Sequence, residues 1–223
     1  PSVSEARSFL RASWRGHAEV LESLIRKGIN PNCIVSAAKT WMEHHTQQDM
    51  AKRMSPLSIA SFQGHLECVQ LLLEANASPD DLTIFGETPL WLACQRGHAE
   101  VARLLVSAGA SLNHADRDGV SPLFSSCSLG DVETARLLLQ AGADKHQITK
   151  TGQSPLLTSC MGGHAAVVRL LLEAQVVTNQ ADQEGQSPLL IVSCFKSVSL
   201  VKLLLETGAN TNQSSRGCRS PLW

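Results

Sequence analysis

The chain has 223 residues, a formal net charge of −1 and 43% hydrophobic residues. Near-neutrality gives no electrostatic reason to expect a nucleic-acid backbone or an anionic membrane surface as the main partner. No apolar run approaches the roughly 18 residues that cross a bilayer, and the start, Pro1-Ser2-Val3-Ser4-Glu5, lacks the basic and apolar regions of a signal peptide.

A Ser/Thr-Pro-Leu triplet recurs at Ser55-Pro56-Leu57, Thr88-Pro89-Leu90, Ser121-Pro122-Leu123, Ser154-Pro155-Leu156, Ser187-Pro188-Leu189 and Ser220-Pro221-Leu222, with 33 residues between successive prolines. A fixed period of this size predicts stacked repeats, each burying its apolar face only against its neighbours. Residues 4–32 read as a degenerate first copy, with Ser8 in the proline position, Gly16-His17 matching later Gly-His pairs and Gly28 matching Gly109 and Gly142. From Ser8 to Pro56 the step is 48 residues, 15 longer than the others, which places an insertion within 33–53. Its irregular apolar spacing reads as an extended or partly helical loop.

Full repeats then begin at 55, 88, 121, 154 and 187, and a truncated seventh begins at 220. In each, Ser or Thr before Pro supplies an N-cap and a first-turn proline, so a helix starts there. Gly64, Gly97, Gly130 and Gly163 stand where that helix should stop in a left-handed residue. A second helix follows, striped with Val69, Leu71, Leu72 and Leu73 in one copy and Val101, Leu104 and Leu105 in the next. Gly109, Gly142 and Gly208 end it, with Asn76 and Gln175 in that role elsewhere. A short link then reaches a tight turn at Gly86, Gly119, Gly152 or Gly185. The unit is helix, turn, antiparallel helix, protruding hairpin. One array of about six helix pairs spans 1–223.

Seven cysteines, none in a C-x-x-C pair, argue against a disulfide framework. Cys94, Cys127 and Cys160 share one repeat position with Ser61 and Ser193, which marks a small-residue packing slot. Buried, reduced thiols point to an intracellular compartment, cytoplasmic or nuclear.

The segments TPLWLA at 88–93, GHAEVARLL at 97–105 and AGADKH at 141–146 resemble the ankyrin repeat, with its T-P-L-H-x-A signature. The resemblance runs from Ser4 to Trp223 and implies an all-α ankyrin-repeat solenoid of stacked antiparallel helix pairs with protruding β-hairpin loops. Departures are visible. The histidine after Pro-Leu becomes Ser58, Trp91, Phe124, Leu157, Leu190 and Trp223, so a hydrogen bond expected of the family is missing there; Ser197-Val198 replaces Gly-His in the sixth repeat. Terminal repeats need a polar outer face, and Ser220–Trp223 does not supply one. Repeats are therefore expected to continue beyond Trp223.

Nothing in the sequence assembles a catalytic constellation, and no cofactor or metal is expected. His17, His65, His98 and His164 recur at one structural position, as scaffold hydrogen-bonding residues would. His44-His45 with Cys33 lacks the four closely spaced ligands of a structural zinc site. Neither a phosphate-cradling glycine loop nor a G-x-S-x-G nucleophile occurs.

Protein binding is the function the resemblance implies, with a partner peptide or domain held in the concave groove. The family's partner-facing positions lie two to five residues before the proline and six or seven after it. Carried over, they give Phe62, Gln63, Ile84, Phe85, Glu87, Gln95, Arg96, Arg117, Asp118, Val120, Leu129, Lys150, Met161, Gln183, Glu184, Phe195 and Arg216. Of only five phenylalanines, three fall at these positions, and exposed aromatic and methionine side chains serve as anchors for a partner. Charges on the face are mixed, so a simple acidic or basic tail is not the expected partner. Trp41, Met42, His44 and His45 in the insertion are candidates for an accessory clamp. Trp91 and Trp223 are expected in the core rather than in an aromatic cage. The fold implies a scaffold or adaptor. Substrate reception for a ubiquitin ligase, or regulation of an attached channel, kinase or acyltransferase, are the alternatives.

Overall fold

At Ser55, Thr88, Ser121, Ser154 and Ser187 the side-chain hydroxyl accepts the N–H of the residue three further on, at 3.2–3.4 Å. Each cap is followed by proline in the first helical turn, and each starts a short helix. In the computed structural model, which describes residues 3–33, 54–213 and 215, these are the first helices of the full repeats.

The described residues form twelve helices and no strand. First helices are α1 (Val3–Arg15), α3 (Pro56–Gln63), α5 (Pro89–Arg96), α7 (Pro122–Leu129), α9 (Pro155–Met161) and α11 (Pro188–Cys194). Second helices are α2 (Ala18–Arg26), α4 (Leu66–Glu74), α6 (Ala99–Ser107), α8 (Val132–Gln140), α10 (Ala165–Glu173) and α12 (Val198–Glu206). The chain divides into two compact units, Pro1–Arg117 and Asp118–Trp223. In the first, α3 packs between α1 and α5 while α4 packs between α2 and α6. In the second, α9 packs between α7 and α11 while α10 packs between α8 and α12. The insertion, with Trp41, Met42, His44 and His45, lies outside the described residues, as do Arg216 and Trp223.

First and second helices differ in how much of their circumference is covered. Every residue from Pro56 to Phe62 is buried, whereas α4 buries only Cys68, Val69 and Leu72. The side chains that replace the signature histidine are core: Trp91 is 3% exposed, Leu157 0% and Leu190 5%. At Ser58 the hydroxyl lies 3.1 Å from that of Ser55.

Gly64 shows why Gly-His is a unit. Its φ is +78°, and its amide and that of His65 close the helix end on Ser61 and Ala60 carbonyls. A Cβ built on Gly64 would lie 2.6 Å from the imidazole of His98 in the next repeat. That ring is in hydrogen-bond contact through Nε2 with the Phe62 carbonyl, at 3.2 Å. The same arrangement places His65 over Gly16 and against Trp14 O (2.9 Å), and His164 over Gly130 and against Ser128 O (3.0 Å). Asp131 replaces histidine before α8, where its carboxylate caps the helix through Thr134 N–H (3.0 Å).

In the sixth repeat the substitution sits one residue earlier than the sequence reading placed it. Lys196 holds the glycine's left-handed conformation (φ 56°), and Ser197 stands in the histidine position with φ −81° and ψ 86°, matching His65 at −80° and 83°. No ring covers the preceding glycine, and a Cβ on Gly163 would meet nothing within 4 Å. The protruding loops form turns without strands among the described residues: at Thr83, Thr149 and Asp182 two backbone bonds close each loop, as Thr83 N–H to Glu87 O and Gly86 N–H to Thr83 O do at the first.

The small-residue slot is filled as expected, with Ser61, Cys94 and Cys127 fully buried and Cys160 1% exposed. Burial pushes the Cys127 thiol up to about 12 against an opposing hydrogen bond from Ser159, and burial alone pushes Cys160 up to about 12. The thiolate is the reactive form, so both are inert at neutral pH.

Ser197→His is expected to stabilise the chain by about 1 kcal/mol, one net hydrogen bond, and His98→Ala to destabilise it by a similar or larger amount. Urea unfolding followed by circular dichroism measures both. Thiol labelling at about pH 8 should modify exposed Cys194 in the native protein but Cys127 and Cys160 only after unfolding, as read by mass mapping.

Candidate functional site

The partner-facing positions fall on two structural features, the C-terminal ends of the first helices and the tips of the links. Both are set by local chemistry. At the first tip, Thr83 Oγ1 accepts the N–H groups of Phe85 and Glu87, both at 3.2 Å, while Thr83 N–H bonds Glu87 O at 3.0 Å. Thr149 and Asp182 play the same part at later tips, with Asp182 Oδ1 accepting from Glu184 and Gln186. Gly86 completes the turn at φ +83°, a conformation that costs glycine little. Tips are then tied to each other. Arg117 N–H bonds Phe85 O (3.1 Å) in the first unit; Lys150 N–H bonds Asp118 O (2.9 Å) and Gln183 N–H bonds Thr151 O (3.0 Å) in the second.

In the first unit the helix ends carry an aromatic stack. Trp14 and Phe62 lie with ring centroids 6.5 Å apart and planes 23° from parallel. The Arg96 guanidinium lies over the Phe62 ring, 4.1 Å from its centroid. Phe62 is therefore 5% exposed, which corrects its expected role as a solvent-facing anchor: its faces are covered by Trp14 and Arg96. Gln63 is half-buried, while Gln95 and Arg96 are exposed. At the tips, Phe85 is 37% exposed, Ile84 is half-buried and Arg117 is exposed.

Glu87 is the second correction. It is buried, and its carboxylate accepts from Thr83 Oγ1 at 2.7 Å. It locks the base of the tip rather than facing a partner. Burial raises its pKa, the Thr83 hydrogen bond opposes that, and the nearby Asp116 charge adds to the rise.

The second unit presents exposed apolar side chains at its helix ends: Leu129 at 50%, Met161 at 42% and Phe195 at 65%. Lys150, Gln183 and Glu184 are exposed at its tips beside half-buried Val120, with Asp118 exposed at the unit's start. Gln183 Nε2 donates to Lys150 O at 2.6 Å, fixing one tip side chain against its neighbour. Among the described residues no group of three or more His, Cys, Asp or Glu side chains is placed to hold a metal ion.

Trp14 and Arg15 belong to this face and were missed in the sequence. The signal was available: with Ser8 in the proline position they fall six and seven residues later, as Phe62 and Gln63 do after Pro56. What hid them was the degenerate triplet and the inserted residues that follow.

With the geometry in hand, comparison with known proteins defines the class. The family model described as ankyrin repeats (three copies) matches residues 57–149 and 130–215. The chain belongs to the ankyrin-repeat family, whose members as a class mediate protein–protein interaction and are typically non-enzymatic. Among solved structures, the crystal structure of the human ASB11 ankyrin repeat domain is similar, with a TM-score of 0.79 and 25% identity over 96% of this chain and 89% of that one. No curated protein sequence matches significantly. No helix among the described residues is long and apolar enough to cross a membrane.

The raised pKa of Glu87 sets a sign. The folded state favours the protonated acid, so its stabilising contribution is complete below the ordinary value of 4.5 and is lost as pH rises through the raised one. Glu87→Gln, which keeps an acceptor for Thr83, should therefore be more stable than the parent at neutral pH. That advantage should shrink as pH falls toward 4.5, as read from melting temperatures across the range.

Proposed function

We propose that the chain is a recognition module of a scaffold or adaptor, holding a partner peptide or domain surface against its first-helix ends and tips. The observation that carries this reading is the exposure of Leu129, Met161 and Phe195, six or seven residues after the proline of three successive repeats. Apolar side chains scattered singly on a surface need no explanation, but exposed ones repeated at the C-terminal ends of successive first helices mark an interaction site. The core of these helices is made by other residues, Leu123, Leu156 and Leu189 among them, which are buried while these three are exposed. In the first unit the exposed apolar side chain at the partner-facing positions is Phe85, at a tip rather than a helix end. Reception of a substrate for a ubiquitin ligase, or regulation of an attached channel, kinase or acyltransferase, would use the same face. Ankyrin repeats host all of these tasks.

Partner capture from cell extract by the purified chain, quantified by mass spectrometry, tests the face directly. A Phe85→Ala, Leu129→Ala double variant should keep its fold, because both side chains are exposed, and should lose partner affinity by about tenfold or more. Equal capture by parent and variant would place the site elsewhere.

A further inference from the structure

We infer that the Pro1–Arg117 unit recognises an acidic segment of its protein partner, taking a carboxylate on Arg96 and an apolar side chain beside Trp14. This rests on the protein-recognition reading above and names the chemistry of the partner.

The argument begins with the removal of Glu87 from the surface. Counted by sequence, the face has balanced charges; in the structure this carboxylate is buried and bonded to Thr83. What remains exposed at the first unit's helix ends and tips is cationic: Arg15, Arg96 and Arg117. None of the three takes part in an ion pair among the described residues. Arg117 is followed directly by the exposed Asp118, so Arg15 and Arg96 are the cations without an adjacent acid. Five of the unit's acidic residues lie on the second helices, at Glu19, Glu22, Glu67, Glu74 and Glu100, with Glu5 early in α1, Asp80 and Asp81 in a link and Asp116 beside Arg117. Two of these are already paired, Glu22 with Arg26 and Glu100 with Arg103. In a chain of net charge −1, Arg15 and Arg96 thus stand at the first-helix ends with no acid beside them in sequence.

Arg96 is also prepared for the task. Its guanidinium lies over Phe62, 4.1 Å from the ring centroid, and Phe62 is backed in turn by Trp14. A guanidinium stacked on a ring keeps its N–H groups in its own plane, free to meet a carboxylate through two parallel hydrogen bonds. The ring shields one face from water and limits the rotamers, so less order is lost when a partner arrives. Half-buried Trp14, packed against the Phe62 ring on which Arg96 lies, offers apolar area to a side chain flanking the acid.

The test selects a random-peptide library displayed on phage against the whole purified chain, then measures recovered peptides by fluorescence polarisation. Peptides enriched in Asp or Glu next to an aromatic or aliphatic residue are expected. Arg96→Ala should weaken their binding roughly tenfold at unchanged melting temperature, and Arg96→Lys should recover little of it. Phe62→Leu, which keeps an apolar side chain in the core, should weaken binding in the same direction by removing the ring. Basic or uncharged peptides, or acidic peptides that bind Arg96→Ala as tightly as the parent, would overturn the inference. So would displacement of the peptides by a thymidine oligonucleotide or by phosphatidylserine vesicles, which would mark a general polyanion site. Peptides sensitive to Leu129→Ala but not to Arg96→Ala would sink this inference and leave the protein-recognition reading standing. Recovery of no peptide would overturn it too, and the capture experiment would then decide the broader reading on its own.

Discussion

A histidine ring occupies the space that a Cβ would fill on the glycine of the preceding repeat, and the rest of the architecture hangs on that contact. In the first unit His65 and His98 make it, in the second His164 does, each with its Nε2 in hydrogen-bond contact with a carbonyl two residues before the glycine. Three requirements meet at one point. The glycine must be left-handed to end the helix, it must lack a side chain to admit the ring, and the carbonyl that the helix end leaves unpaired must find a donor. The contact therefore fixes the spacing between neighbouring first helices as well as terminating them.

Where that contact is made, as at both junctions of the first unit, residues six and seven after the proline are brought together in neighbouring repeats. This is what brings Arg96 onto Phe62 and Phe62 against Trp14. The tips are controlled separately by Thr83, Thr149 and Asp182, whose side chains hold the turns from within. A stiff scaffold of this kind leaves the identity of the exposed side chains nearly independent of stability. Partner preference can then change through substitution at exposed Leu129, Met161 or Phe195 with little effect on the buried leucines of the same helices.

Much of the fold was legible because its signals are local. Ser/Thr-Pro, the glycine stops and the second-helix stripe each act within a few residues, and a fixed period multiplies them. The site was harder to read, for particular reasons. Phe62 stands at a partner-facing position, but an arginine in the next repeat covers it, and the cation–π contact leaves no mark in the order of residues. Glu87 looks like a surface acid, yet its fate is decided by Thr83 four residues earlier. Trp14 and Arg15 were hidden by a first repeat that lacks its proline. In the sixth repeat, without Gly-His as a marker, the substitution was placed one residue late, although the 33-residue period already puts Lys196 in the glycine position, where its backbone angle confirms it.

The bonds between tips carry a further consequence. Many partners add to a protein by lending it a strand, pairing main chain with main chain along an open edge. At Arg117, Lys150 and Gln183 the tip amides are already committed to the carbonyl of the neighbouring tip. A visiting chain meets side chains there and not a row of waiting peptide groups. Its backbone is then under little obligation to be extended, so a helix, a loop or a folded surface can present the same few side chains equally well.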